Sequence, residues 1–156
     1  MLVPGREKYR IANKVFFEQV RQILNENQIV RIAVSGNSML PFLQPEDQVV
    51  LKRAEKSDLK TGKIVLALWN KSYILHRIAW IEKSAKKIRL VGDGNLVQVE
   101  DVHMSDIIAV VVRGYRGDKE VCVNSKLHMC AAFIWYRLRF IRRVYNKIKT
   151  IREEIK

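Results

Sequence analysis

The chain has 156 residues, a length at which folding removes about 70% of the unfolded chain's surface from water. A hydrophobic fraction of 48% excludes a disordered chain, and two cysteines, Cys122 and Cys130, exclude a disulfide framework. The net charge of +13 is uneven: from Lys126 to Lys156 nine basic residues face only Glu153 and Glu154, which marks a basic tail on a milder body.

The opening "MLVPGREKYR" lacks the apolar core of a secretory signal. Residues 12–26 put Phe16, Val20, Ile23 and Leu24 on one helical face, which predicts an amphipathic helix ending near Asn25-Glu26-Asn27. Val30, Ile32 and Val34 then alternate with Arg31 and Ala33 as in a strand. A second strand is expected over 47–53, followed by the polar linker "AEKSDLKTG".

The segments 63–69, 72–82 and 87–93 read as a meander, and 106–115 as another strand, because all four are rich in β-branched and aromatic residues. The last segment changes period. Leu127, Ala131, Ile134, Leu138, Ile141, Tyr145 and Ile148 form one stripe of a helix with arginines and lysines on its flanks. The longest apolar run there, Met129 to Tyr136, falls far short of the ~20 residues of a spanning helix, so no membrane span is expected. The fold class is mainly β, with one helix before the sheet and one after. Three units are expected: an N-terminal helical segment (1–27), a β domain (28–124) and a basic C-terminal amphipathic helix (125–156).

The stretch Ser35 to Leu43, "SGNSMLPFL", suits either a turn or a serine held out for chemistry. A serine nucleophile needs a base within hydrogen-bond reach. The histidines are His76, His103 and His128. Strand alternation puts His76 on one face with Ile74, Ile78 and Trp80, as a core residue or as a base in an apolar wall. His103 and His128 read as surface or helix-packing residues. Three histidines without paired ligand spacing predict no metal site. "GDGN" lacks the flanking pattern of a phosphate loop.

Four motifs occur in order: Gly36-x-Ser38-Met39-x-Pro41, Asp47-Gln48-Val49, Leu75-His76-Arg77-Ile78 and Gly92-Asp93-Gly94-Asn95. Together they resemble the serine peptidase superfamily of type I signal peptidases and LexA-like self-cleaving repressors, over roughly residues 28–115. Histidine followed by arginine is similar to the archaeal and endoplasmic-reticulum branch. The resemblance implies a LexA/signal-peptidase-like coiled β fold, with Ser38 as nucleophile and His76 as general base. It also implies acids that complete the site. Asp93 matches the first, with a turn aspartate as its plainer reading. The second falls near Val99, so Glu100 or Asp101 would orient His76, or both are loop acids. The Ser38 backbone N–H is the expected oxyanion donor, since Gly36 stands where bacterial relatives often carry a hydroxyl.

Departures are Gly62-Lys63, where Gly-Asp is usual, and "PED" at 45–47. The N-terminal anchor of signal peptidases and the DNA-binding module of the repressors are expected to be absent. The function expected is a serine-type endopeptidase cleaving a peptide or leader of a partner protein, bound as an extended strand. It needs no cofactor, and its expected location is cytoplasmic or peripheral at the inner face of a membrane. The alternative is a catalytically silent binding module of the same fold, acting at an anionic membrane or on nucleic acid through its basic tail. The basic tail has three readings: a helix docked on the sheet, an interfacial helix on anionic lipid anchored by Trp135, Tyr136 and Phe140, or, least favoured, a nucleic-acid contact.

Overall fold

The computed structural model describes the backbone of residues 6–154 and the side chains of residues 15–151. The expectation about the first five residues lies outside that range. Helix α1 (Arg6–Asn25) precedes eight strands: β1 (Val30–Ala33), β2 (Gln48–Arg53), β3 (Ile64–Trp69), β4 (Ser72–Glu82), β5 (Lys87–Val91), β6 (Glu100–His103), β7 (Ile107–Arg116) and β8 (Lys119–Val121). Helices α2 (Lys126–Arg137) and α3 (Arg139–Glu154) follow.

The strands form one antiparallel sheet in the order β1-β2-β7-β3-β4-β5-β6, with β8 added to β7. Strand β3 runs through its middle and is buried on both faces, which is why "IVLALW" is apolar without alternation. Ile64 and Leu66 enter one core with Val20 and Leu24 of α1, Met39, Leu43 and Leu51. Val65 and Ala67 enter a second core with Ile78, Ile88, Leu90, Val102 and Val110. Bulges between Val50 and Leu51, Leu66 and Ala67, and Ile78 and Trp80 interrupt the ladders. Bulges raise the local twist, which suits a sheet curled around a core.

Several expectations are corrected. The buried face of α1 is Phe17, Val20 and Leu24, whereas Phe16 and Ile23 are exposed. Phe17 stacks on Tyr73 with ring centroids 4.7 Å apart, and Tyr73 donates to Glu18 at 2.8 Å, so contacts with β4 set the helix rotation. The shift beyond Ile78 breaks alternation in β4, which leaves Trp80 52% exposed instead of beside His76. Strand β5 ends at Val91, and residues 92–95 turn.

The C-terminal segment is two helices, interrupted at Leu138. Its apolar stripe is exposed: Leu127, Ile134, Leu138, Ile141, Tyr145 and Ile148 all face solvent. The inward face carries Ala132, Trp135 and Arg139. Arg139 donates from Nε to the Leu96 carbonyl and from Nη2 to the Gln98 carbonyl at 2.8 Å. Trp135 donates to the Asp93 carbonyl at 2.9 Å. Loop carbonyls need donors when covered, so arginines and an indole take positions that a periodicity argument assigns to aliphatic residues.

Candidate active site

Ser38 lies half-buried in the turn between β1 and β2, after Gly36, whose φ of +80° favours a residue without a Cβ. The turn is locked by its apolar residues: Met39 and Leu43 are buried in the first core, and the Leu43 N–H donates to the Met39 carbonyl at 3.0 Å. The Leu40–Pro41 peptide is cis.

His76 sits in the middle of β4, paired with Val65 of β3, and is 5% exposed. Its Nδ1 lies 2.9 Å from Oε2 of Glu100, the first residue of β6. Glu100 is fully buried, and its other oxygen accepts from Gln98 Nε2 at 2.8 Å. A buried carboxylate is costly unless its lone pairs are used, and here both oxygens have partners. In the tautomer whose Nδ1–H donates to Glu100, the imidazole presents Nε2 as an acceptor.

The turn Gly92-Asp93-Gly94-Asn95 brings His76 and Ser38 together. A Cβ on Gly92 would stand 2.6 Å from the Ser38 carbonyl, 2.8 Å from Asn95 Nδ2 and 3.0 Å from His76 Nε2. The Nε2 edge of the histidine and the serine backbone thus meet across a residue that has room only for hydrogen. The Gly94 N–H donates to the Ser38 carbonyl at 2.8 Å, and a Cβ there would stand 2.7 Å from the Asn37 carbonyl.

Asp93 and Asp101 have partners other than His76. Asp93 forms a buried two-pronged pair with Arg77, at 2.8 Å from Nε and 2.7 Å from Nη2. Arg77 also donates to the Gly62 carbonyl at 2.6 Å, so this sequence neighbour of His76, on the opposite face of β4, holds the turn that faces the histidine. Asp101 forms an exposed pair with Arg89, which lowers its pKa through that hydrogen bond. Of the three acids weighed from sequence, the one bonded to His76 is Glu100.

His128 of α2 packs over Phe42, with ring centroids 4.8 Å apart, and its Nε2 lies 3.4 Å from Arg77 Nη2. Burial, and then the Arg77 charge, lower its pKa. Asp47, the acid of the second motif, is buried and accepts two hydrogen bonds from Arg116, at 2.8 and 2.7 Å, which lower its pKa against the opposing effect of burial. His103 starts a single turn in which the Asp106 carboxylate accepts from its backbone N–H at 2.9 Å. Among the described residues no group of three or more His, Cys, Asp or Glu is placed to hold a metal.

Beside Gly92 and Asp93 a cavity of about 570 Å³ opens between β4, β5 and α2. Ile78, Val91, Met129, Ala132, Phe133 and Trp135 give it apolar walls, with Arg77 and Arg142 at its polar side. Arg77, Gln98, Gly92 and Trp135 are not among the catalytic residues expected from sequence. Arg77 carried a signal, as the second half of the His-Arg pair. Gln98 and Trp135 act through loop contacts that no spacing announces.

None of the curated proteins compared matches the chain. The sequence profile of the Peptidase S24-like family matches residues 4–112, which span α1, the serine turn, His76, Glu100 and most of the sheet. The mainly β curled sheet with flanking helices agrees with that family's serine-peptidase-like fold. The chain belongs to the Peptidase S24-like family.

Proposed function

We propose that the protein is a serine endopeptidase in which Ser38 attacks, His76 carries the proton and Glu100 orients the imidazole. The observation that carries this reading is the buried His76–Glu100 contact at 2.9 Å, with Nε2 of the same ring against the Gly92 turn that holds the Ser38 carbonyl. A carboxylate at Nδ1 together with a serine turn at Nε2 is the arrangement that activates a hydroxyl.

In the reaction, Ser38 Oγ bonds to the scissile carbonyl carbon while its proton passes to His76 Nε2. The tetrahedral intermediate collapses, the C–N bond breaks, and Nε2 returns the proton to the leaving amine. Water then attacks the acyl ester, again through His76, and frees Ser38. The Ser38 backbone N–H is the donor for the oxyanion. Glu100 and Gln98 act through the histidine and are positioning residues, as are Asp93 and Arg77 through the turn. Asp101 has no role in this scheme.

The substrate is an extended peptide. Strand β1 is a sheet edge that runs directly into the serine turn, so a peptide added along it gains backbone hydrogen bonds beside the nucleophile. The cavity beside Gly92 takes an apolar side chain of that peptide. The test is mass spectrometry of a peptide library incubated with wild type, Ser38→Ala and His76→Ala. Cleavage by wild type alone supports the reading. A library left intact by wild type, or cut equally by Ser38→Ala, points instead to a binding module.

A further inference from the structure

The outer face of α3 stands uncovered. Phe140, Ile141, Val144, Tyr145, Ile148 and Ile151 are between 45% and 72% exposed. At about 100° per residue the six fall within an arc of roughly 140° on one side of the helix. The opposite side holds α3 to the body: Arg139 and Arg143 donate to the Leu96 carbonyl, and Arg142 packs 4.0 Å over the Trp135 ring and lies 3.4 Å from the Asp93 carbonyl. Helix rotation is therefore fixed, and the apolar arc points outward by construction. Lys147 borders the arc on one side and Lys149 on the other.

Apolar residues set in water on a pinned helix need a partner that also tolerates this charge. A second copy of the chain would bring two segments of nine basic residues together, each carrying only Glu153 and Glu154 in return. A nucleic acid would meet the charge and leave the arc in water. An anionic lipid surface satisfies both, because the arc enters the acyl boundary while lysines and arginines reach the headgroups. We propose that α3 docks the protein on an anionic membrane surface, lying in the interface plane without crossing it. Among the described residues no helix is long and apolar enough to cross. The inference stands independently of the peptidase reading.

The test is co-sedimentation of the full chain with vesicles of phosphatidylcholine alone and of phosphatidylcholine with phosphatidylglycerol, at low and high salt. The comparison protein is the double variant Ile141→Glu, Ile148→Glu, whose sites are exposed, so its thermal midpoint should match wild type. Wild type should sediment with the phosphatidylglycerol vesicles and much less with neutral ones, more weakly at high salt. The double variant should bind about tenfold more weakly or less. Three results would overturn the proposal: no binding to either vesicle, equal binding by the double variant, or a stable wild-type dimer that the variant dissociates.

Discussion

Nδ1 of His76 and Oε2 of Glu100 stand 2.9 Å apart, joining the middle of β4 to the start of β6 across the buried side of the sheet. Strand β5 lies between these two strands, so the contact depends on the ladder that pairs Arg77 with Val91 and Leu90 with Glu100. The sheet thus sets the histidine's orientation, the kind of preorganisation that the proposed role of His76 as a base requires.

Replacing Glu100 with Gln keeps its size and a hydrogen bond to Gln98 but removes the charge to which the proposed mechanism assigns stabilisation of the imidazolium. On the best library peptide, kcat should fall by roughly 10²-fold or more, with KM nearly unchanged. A purely structural Glu100 would instead lower the thermal midpoint and leave kcat of the folded fraction intact.

Gly92→Ala places a methyl 2.6 Å from the Ser38 carbonyl and 3.0 Å from His76 Nε2. The serine turn or the ring must move, at a cost of about 1–3 kcal/mol in stability. Activity should fall further than that loss of folded protein explains. Gly36→Ala provides a contrast: nothing lies within 4 Å of the added methyl, so its effect comes from the φ of +80° alone.

The Arg77–Asp93 pair predicts a particular non-additivity. Arg77→Met leaves a buried carboxylate without its partner and should destabilise the fold by about 3–5 kcal/mol. Adding Asp93→Leu removes the stranded charge and should recover part of the stability, as urea midpoints would read out. If the two losses simply add, the pair does not hold the turn in the manner described.

His128 gives a pH dependence with a definite sign. Burial and the Arg77 charge put its pKa below 6.5, so the folded chain binds this proton more weakly than the unfolded chain does. Its contribution to stability is full above 6.5 and is lost as pH falls through the depressed value. Thermal midpoints from about pH 8 to about pH 5 should fall more steeply for wild type than for His128→Gln. Parallel curves would mean that His128 is not the group responsible.

Much of this was legible because local and tertiary demands agreed. Strands β2, β3, β4 and β7 carry runs of Val, Ile and Leu long enough to show through any register, and Gly92 and Gly94 mark a turn by their residue type. Strand β6 escaped notice because "EDVH" has a single aliphatic residue, Val102, and buries Glu100 where a pattern expects an apolar side chain. The choice among Asp93, Glu100 and Asp101 could not be made from spacing, since it depends on which residues of β5 and β6 face each other. The C-terminal stripe misled for a different reason. Its period is helical, but the docking face is chosen by donors for loop carbonyls, so Arg139 and Trp135 turn inward and Ile141 turns out.

The most direct measurement of the central claim is the acyl-enzyme itself. A reaction on the best-cleaved library peptide, quenched in acid during the first turnovers, can be read by intact-mass spectrometry and peptide mapping. The account predicts a mass gain equal to the N-terminal product less water, mapped to Ser38 and missing from Ser38→Ala and His76→Ala. An acyl group mapped to another residue, or turnover that survives Ser38→Ala, would contradict it.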